Sequence, residues 1–301
     1  MIRFIYVLFR KIDMKKIAII GCGALGSAAA RLLAKKDFEL SIIDRDIVDE
    51  SNLRISFKEA DLGKLKTEAV KNELKKINPK IKVRDYCMDL DFENISLLKN
   101  AELIIDCTDN LETRFLINEF CMKNKINWIY GAVIRNKGYV YNIIPRADKG
   151  CFKCIFREAE GLETCETAGV SGSIVDLIAS VQVSEALKIL NNRSYEKEML
   201  YFNLDKNEFR KIKVNKRKNC EVCNGRYEYL EGKKKNIVKF CGSGMYQIKG
   251  KFKFNEVKRI LNVKGKDFLR YKNMIIFKDR ALIKTKSERE AKIIYSKIIG
   301  N

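Results

Sequence analysis

Short apolar runs alternate with helix-forming stretches over the first two thirds of the chain. The runs are rich in β-branched residues and predict buried strands, at 16–20, 40–44, 81–86, 103–106, 127–131 and 138–144. The stretches between them predict helices at 24–35, 64–77, 111–123 and 173–190. Because strands that alternate with helices are typical of an α/β fold, we predict a doubly wound, mostly parallel sheet.

The last quarter of the chain differs from the rest. Closing strands are predicted at 201–203 and 209–214, and the lysine run 233–235 marks a boundary. Beyond it, residues 237–301 predict a strand, a helix at about 255–262, two strands and a final helix. We therefore predict an N-terminal extension at 1–13, a main domain at 14–232 and a small basic α+β domain at 233–301.

Composition excludes intrinsic disorder and gives the chain a basic surface. Of its 301 residues, 46% are apolar, which is enough for a substantial core. The net charge is +21, and residues 224–301 contribute 21 basic against seven acidic side chains. A solvated, lysine-rich surface is the default explanation, and attraction for an acidic protein or for RNA is the alternative.

The cysteine and histidine contents restrict the chemistry. The chain has ten cysteines and no histidine, so any catalysis must proceed without imidazole. We find no signal peptide, and the apolar run 4–9 is too short to span a bilayer. We therefore expect a cytoplasmic protein with no membrane association, whose cysteines bind metal or react rather than form disulfides.

Four cysteines form two Cys-x-x-Cys pairs, Cys151/Cys154 and Cys220/Cys223. Two such pairs are the ligand set of a tetrahedral site, so we predict bound Zn²⁺ in a structural role, because four thiolates leave no open position. Between the pairs, the polar neighbours of Cys165 indicate a reactive thiol, although most free cysteines are buried packing residues. The cysteines interpreted as structural are Cys22, Cys87, Cys107, Cys121 and Cys241.

Gly21, Gly23 and Gly26 have the G-x-G-x-x-G spacing, directly after a predicted strand and before a helix. Glycines let the backbone approach phosphates, and a helix N-terminus favours their negative charge. Asp44 ends the next strand, where a carboxylate can bind ribose hydroxyls. These features predict a Rossmann-like nucleotide site with NAD as the default ligand, and a turn that binds nothing is the alternative.

A second polar segment, Asp106–Asn110, begins where the fourth predicted strand ends. Ligands of open α/β sheets lie at that edge, so Asp109 can hold Mg²⁺ with nucleotide phosphates. Equally, Asp109 can be the N-cap of the following helix. Candidates for neutralising phosphate charge are Lys66, Arg54 and Arg114, although each taken singly is explained as a surface cation.

Together these motifs resemble the MoeB/ThiF/HesA family, relatives of the ubiquitin-activating enzymes. The resemblance runs from about Lys16 to Cys223. The matching segments are Gly21–Gly26, Asp44–Val48, Ser51–Leu53, Gly63–Lys66, Ile77–Pro79, Asp106–Asn110 with Arg114, Cys165–Val170 and the two cysteine pairs.

The resemblance implies an ATP-dependent adenylyltransferase that uses Mg²⁺. The family adenylates the C-terminal glycine of a small ubiquitin-like or sulfur-carrier protein (ThiS/MoaD/Urm-like) that ends in Gly-Gly. The implied nucleotide-binding residues are Gly21, Gly23, Gly26, Asp44, Asp46, Asn52, Lys66, Asp109, Asn110 and Arg114. The implied catalytic residues are Asp109, Cys165, Arg54 and Lys66.

The resemblance also implies partners and later steps. Cys165 matches the cysteine that carries a thioester or persulfide link to the carrier protein in some relatives. A thiocarboxylate product would serve thiamine, molybdopterin or tRNA thiolation pathways, and a thioester would serve protein conjugation. A homodimer is expected, and so is an external sulfur donor, since no rhodanese domain follows.

Two departures from the family pattern keep alternatives open. Relatives read Ser-Asn-Leu-x-Arg-Gln, whereas Arg54 stands one place earlier here, and their Arg-Tyr-x-Arg-Gln-type opening segment is not found. A non-catalytic scaffold of the same fold that binds nucleotide and partner is one alternative. An NAD-dependent oxidoreductase is a second, and RNA binding by the basic domain would be compatible with catalysis.

Overall fold

A computed structural model describes residues 14–53, 55–156, 169–233, 245–250 and 252–299. The chain divides into two units, Met1–Lys234 and Lys235–Asn301. Across the described residues, no helix is both long and apolar enough to cross a bilayer.

An eight-stranded sheet forms the centre of the first unit. Its strands are β1 (Lys16–Ile20), β2 (Glu39–Asp44), β3 (Lys82–Cys87), β4 (Leu103–Asp106), β5 (Asn127–Ile134), β6 (Lys137–Ile143), β7 (Met199–Asn203) and β8 (Glu208–Ile212). Their spatial order is β3-β2-β1-β4-β5-β6-β7-β8. The pairs from β3 to β5 are parallel, and the pairs from β5 to β8 are antiparallel. The structure thus confirms a mixed α/β fold with a mostly parallel sheet, in which β6 to β8 form an antiparallel edge.

Helices cover both faces of this sheet. They are α1 (Ala24–Ala34), α2 (Lys66–Ile77), α3 (Leu111–Asn124), α4 (Phe152–Ile155) and α5 (Gly172–Leu190). One apolar core contains Ile17 and Ile19 of β1 with residues of α1, α2 and α5. The other contains Ala18 and Ile20 with residues of α3 and α4. Because both faces of β1 are buried, its sequence is a continuous apolar run rather than an alternating one.

The second unit has its own four-stranded antiparallel sheet. Its elements are β9 (Met245–Lys249), α6 (Phe254–Ile260), β10 (Leu269–Tyr271), β11 (Met274–Ile276), β12 (Arg280–Lys284) and α7 (Glu288–Ile298). The strand order is β10-β11-β12-β9. Three strands lie between the two helices, where the sequence predicts two. The missed boundary is a tight turn at Lys272, whose φ of 52° lets the chain reverse between two three-residue strands.

Candidate active site

A cleft lies at the carboxyl ends of β1, β2 and β4. The strand order reverses between β1 and β4, and this is where ligands of open α/β sheets bind. Gly21 and Gly23 line the cleft on one side, and Asp44 and Lys66 line it on another. Asp109 faces the same space from the end of β4, so the structure brings most of the predicted site residues together.

The three glycines are needed for different structural reasons. Gly21 has a φ of +90°, and a Cβ there would lie 2.7 Å from the Cys107 carbonyl oxygen. A Cβ on Gly26 would lie 1.8 Å from the Gly21 carbonyl oxygen, so Gly26 lets α1 pack on the turn. A Cβ on Gly23, the N-cap of α1, would have no heavy atom of a described neighbour within 4 Å. Open space above a helix N-terminus suits a phosphate group.

Backbone amides fix the carboxylate of Asp44. Its Oδ2 accepts a hydrogen bond from Cys22 N–H at 2.6 Å, and its Oδ1 accepts one from Asp46 N–H at 2.7 Å. Burial raises the pKa of the Asp44 carboxyl, and the ammonium of Lys66 opposes that rise. The result is an acceptor held at the strand end, next to the glycine turn.

Lys66 provides a positive charge inside the cleft. Its side chain is only 12% exposed, and its Nζ lies 3.2 Å from Asp46 Oδ2. Burial alone would lower the pKa of this ammonium, but the carboxylates of Asp46 and Asp44 outweigh burial and raise the pKa. Lys66 is therefore protonated at any physiological pH and can neutralise phosphate charge.

Asn110, and not Asp109, caps helix α3. The Asn110 side-chain oxygen accepts hydrogen bonds from the N–H groups of Glu112 at 2.8 Å and Thr113 at 3.2 Å. The alternative that Asp109 is the N-cap is therefore wrong. The Asp109 side chain is exposed and forms no hydrogen bond or ion pair within the described part of the chain. Its carboxylate is available to a ligand in the cleft.

Three predicted residues lie outside the described lining of the cleft. Gly26 is buried under the glycine turn, and Asn52 sits in the turn Glu50–Asn52, where its side chain accepts from Asp49 N–H at 3.1 Å. Arg114 is buried beneath the cleft, with its Nε 3.4 Å from Asp106 Oδ2. Predictions for Arg54 and Cys165 fall outside the described residues.

Arg114 is engaged by the protein on several sides. Besides Asp106, its guanidinium donates to the carbonyl oxygens of Thr108 and Gly131 and lies 5.0 Å from the ring centre of Tyr130. It therefore ties the end of β4 and the middle of β5 to the segment that carries Asp109. A planar guanidinium with several donors suits this role better than a lysine would.

Sequence reasoning missed a charged pair in the same cleft. Arg45 Nη1 lies 3.2 Å from Asp89 Oδ1, and both residues line the cleft. Burial alone would lower the pKa of Arg45, but Asp46 and Asp89 outweigh burial and raise it. Asp89 follows the end of β3, so the rule that sites lie at carboxyl strand ends would have found it.

The two cysteine pairs meet in a single cluster of four sulfur atoms. The sulfur–sulfur separations include 3.5 Å for Cys151–Cys223, 3.6 Å for Cys151–Cys220, 3.6 Å for Cys154–Cys223 and 4.0 Å for Cys151–Cys154. Four sulfurs at about 2.3 Å from one zinc ion lie about 3.8 Å apart, whereas a disulfide needs about 2.05 Å. The geometry therefore fits a tetrahedral metal ion and excludes disulfides between these residues.

Nitrogen donors surround the sulfur cluster. Arg217 N–H points at Cys154 Sγ at 3.4 Å, and Asn118 Nδ2 lies 3.6 Å from Cys151 Sγ. Such donors stabilise thiolates and orient metal ligands. Asn118 also accepts a hydrogen bond from Phe152 N–H at 3.0 Å, so α3 holds the loop of the first pair.

Comparison with known proteins finds the ThiF family, whose model matches residues 3–222. A sulfur carrier protein ThiS adenylyltransferase from Bacillus subtilis is 32% identical over 97% of this chain and 94% of its own length. A molybdopterin-synthase adenylyltransferase from Salmonella typhimurium is 32% identical over 69% of this chain and 86% of its own. A SAMP-activating enzyme E1 from Haloferax volcanii is 27% identical over 69% and 80%.

Solved structures support the fold. A crystal structure of E. coli MccB with succinimide superposes with a TM-score of 0.62 at 21% sequence identity, over 69% of this chain and 66% of that chain. An ATP complex of the same protein gives a TM-score of 0.61. The Bacillus relative is similar across both units of this chain, whereas the MccB match covers about two thirds of each protein.

Proposed function

The chain belongs to the ThiF family, and we propose that it uses ATP to adenylate the C-terminal glycine of a small sulfur-carrier or ubiquitin-like protein. The observation that carries the proposal is the free carboxylate of Asp109, which faces the cleft that Gly23 and Lys66 also line. The adenylyltransferase names of the relatives support it and weigh against an NAD-dependent oxidoreductase.

The reaction suits a site without histidine. A carboxylate oxygen of the carrier's terminal glycine attacks the α-phosphorus of ATP, the bond to the bridging oxygen breaks, and pyrophosphate leaves with that electron pair. The product is an acyl adenylate. Because the nucleophile is already ionised at neutral pH, no general base is required. The obstacle is repulsion between two anions, which charge neutralisation and alignment overcome.

Several side chains have the chemistry for this task. Asp44 would accept hydrogen bonds from ribose hydroxyls, and the open N-terminus of α1 at Gly23 would receive a phosphate. Lys66 would neutralise the reacting phosphates. Asp109 would bind Mg²⁺, a hard cation that prefers carboxylate oxygens and is usually shared with nucleotide phosphates. When bound, the ion would neutralise charge on the leaving pyrophosphate.

The sulfur cluster would hold one Zn²⁺ in a structural role. The separations of 3.5 to 4.0 Å fit a tetrathiolate site, and four sulfurs leave no position for substrate. The metal would join the loop at Cys151 and Cys154 to the segment at Cys220 and Cys223, on the face of the sheet that α3 covers.

Later steps rest on Cys165, for which the sequence is the support. We propose that the Cys165 thiolate attacks the carbonyl carbon of the acyl adenylate and displaces AMP, which leaves the carrier on Cys165 as a thioester, and that a homodimer takes part. For a thiocarboxylate product, sulfide supplied by an external donor would then attack the thioester and release the Cys165 thiolate. Replacing Cys165 by alanine should leave adenylation intact and abolish only the thiol-dependent step. Loss of adenylation in a folded variant would contradict this division of labour.

ATP–pyrophosphate exchange tests the proposal. Each small Gly-Gly-ending protein from the same genome is added in turn to the metal-loaded enzyme. Exchange should appear with one of them and fall by at least about 100-fold in Asp109→Ala. Asp37→Ala is the matched control, because Asp37 is an exposed carboxylate before β2, at the amino end of the sheet, and should keep full exchange.

Two results would overturn the proposal. Full exchange by Asp109→Ala would contradict the assignment of the site. No exchange with any carrier, by a folded protein that binds ATP and metal, would favour the non-catalytic scaffold.

A further inference from the structure

Helix α5 carries a buried amide in an apolar surrounding. Gln182 is fully buried, and its helix neighbours Ile178, Ala179, Val183 and Ala186 belong to the apolar core. An amide at such a position is unfavourable unless its polar atoms find partners. The position of Gln182 in the helix therefore needs a reason, and its hydrogen bonds supply one.

The partners of Gln182 are the end of β4 and the backbone of the neighbouring strand β5. Its Nε2 donates to the Asp106 carbonyl oxygen at 2.9 Å and to the Ile129 carbonyl oxygen at 3.4 Å. Its Oε1 lies 3.7 Å from Cys107 Sγ, which can donate a thiol hydrogen. One side chain thus joins the last residue of β4, the residue after it, and β5.

A glycine in β5 makes room for this amide. A Cβ on Gly131 would lie 2.2 Å from Gln182 Nε2 and 2.4 Å from its Cδ. Glycine inside a strand is unfavourable and often marks a close approach by another group. Two residues that are unusual in their own elements, a glycine in a strand and a glutamine in an apolar helix, therefore explain each other.

The strand end that Gln182 holds is the base of the Asp109 turn. The Asp106 carboxylate accepts hydrogen bonds from Thr108 N–H at 2.9 Å and Thr108 Oγ1 at 2.7 Å. Asn110 then begins α3, which leaves Asp109 between two fixed points. Gln182 fixes the first of these from the side of the sheet opposite to α3.

We propose that Gln182 is a positioning residue for Asp109: it fixes the end of β4, with Gly131 as the matching gap, and so sets where the carboxylate stands in the cleft. Gln182 itself is not among the residues that line the described cleft. Its contribution to catalysis rests on the proposed adenylation, but its contribution to the geometry does not.

Gln182→Met tests the proposal, because methionine keeps the length of the side chain and removes the hydrogen bonds. The kcat for exchange should fall 10- to 100-fold, since small misplacements of reacting groups have effects of roughly this size, while the KM for ATP stays within about threefold. Glu185→Gln is the matched control. Glu185 is a buried polar residue on the same helix, and its partners are Asn142, Lys188 and the Glu196 N–H, away from the cleft.

Hydrogen exchange gives a readout independent of activity. Amides of residues 106–110 should exchange at least about tenfold faster in Gln182→Met than in wild type or in Glu185→Gln. Gly131→Ala is a second variant, in which the added methyl group displaces the amide and should produce the same kcat loss and the same faster exchange. It keeps the proposal testable if Gln182→Met does not fold.

The outcomes are separable. An unchanged kcat in folded Gln182→Met and Gly131→Ala, or an equal loss in Glu185→Gln, would overturn the proposal. If the wild type shows no exchange of pyrophosphate at all, the proposed function fails instead. The hydrogen-exchange measurement then tests the positioning role of Gln182 by itself. Unchanged amide exchange rates at residues 106–110 would overturn that role.

Discussion

Loss of the zinc ion that we propose for the four-cysteine cluster should destabilise the first unit strongly. We predict that Cys220→Ser, or chelation of the metal from the wild type, lowers the free energy of unfolding by at least about 4 kcal/mol. Cys220 is fully buried and its sulfur lies 3.6 Å from that of Cys151, so serine would break the cluster without adding bulk.

The magnitude follows from the length of chain that the cluster closes. Cys154 and Cys220 are 66 positions apart in the sequence. A cross-link that closes a loop of about that length removes roughly 4 kcal/mol of chain entropy from the unfolded state at 25 °C. Direct metal–sulfur bonding adds to this, since structural zinc can contribute most of the folding free energy of small domains. Whole domains are stable by about 5–15 kcal/mol, so the loss is a large fraction.

Urea unfolding, followed by circular dichroism, measures the loss, and metal analysis gives the zinc content per chain. Cys121→Ala is the matched control, because Cys121 is fully buried but outside the cluster. It should retain one zinc and lose only about 1 kcal/mol of stability from the smaller side chain. The reasoning is refuted if Cys220→Ser keeps both stoichiometric zinc and wild-type stability, or if Cys121→Ala loses zinc to the same extent.

Three further variants test the site and its surroundings. Lys66→Met should lower the rate of ATP–pyrophosphate exchange about 100-fold in steady-state assays, because it removes the buried cation from the cleft. Lys71→Met, on the same helix, should leave that rate unchanged. Asn110→Ala should lower the free energy of unfolding, measured by thermal denaturation, by about 1 kcal/mol, because it removes the N-cap of α3 beside Asp109. It should also reduce the kcat for ATP–pyrophosphate exchange. Burial raises the pKa of the Glu119 carboxyl to about 7, so the folded state holds a proton that the unfolded state loses near pH 4.5. The resulting stability is present at low pH and lost as pH rises to 7. Relative to Glu119→Gln, wild type should lose about 2 kcal/mol between about pH 5 and pH 8 in urea titrations.

The parallel strands were predictable because burial on both faces requires a continuous run of apolar residues, which is visible in the sequence. The apolar pattern predicted no direction for β6, although the sequence contains the information. The predicted strands at 127–131 and 138–144 are six residues apart, which is too short for the crossover that a parallel pair requires. In the structure, Arg135 and Asn136 alone connect β5 to β6. Loop length, and not apolar pattern, determines strand direction here.

The clustering of the candidate site residues in one cleft was predictable, but the contacts of the individual residues were not. Asp109 and Asn110 are both good N-cap residues, so sequence alone does not decide which of them caps α3 and which faces the cleft. The hydrogen bonds to Glu112 and Thr113 decide it in favour of Asn110. Gln182 escaped notice for another reason: a single amide in an apolar helix has no local pattern, and its partners are 53 and 76 positions away.

The two cations beside the cleft show why charge counting in the sequence is not enough. Arg114 is surrounded by Asp106 and by two carbonyl oxygens, so its several donors are used to join β4, β5 and the Asp109 turn. Lys66 pairs with the carboxylate of Asp46, and its side chain lines the cleft. A bound phosphate could share the Lys66 charge without breaking the fold, whereas recruiting Arg114 would release the base of the turn that presents Asp109. The structure therefore favours Lys66 as the cation for chemistry and Arg114 as the residue that keeps the carboxylate in place.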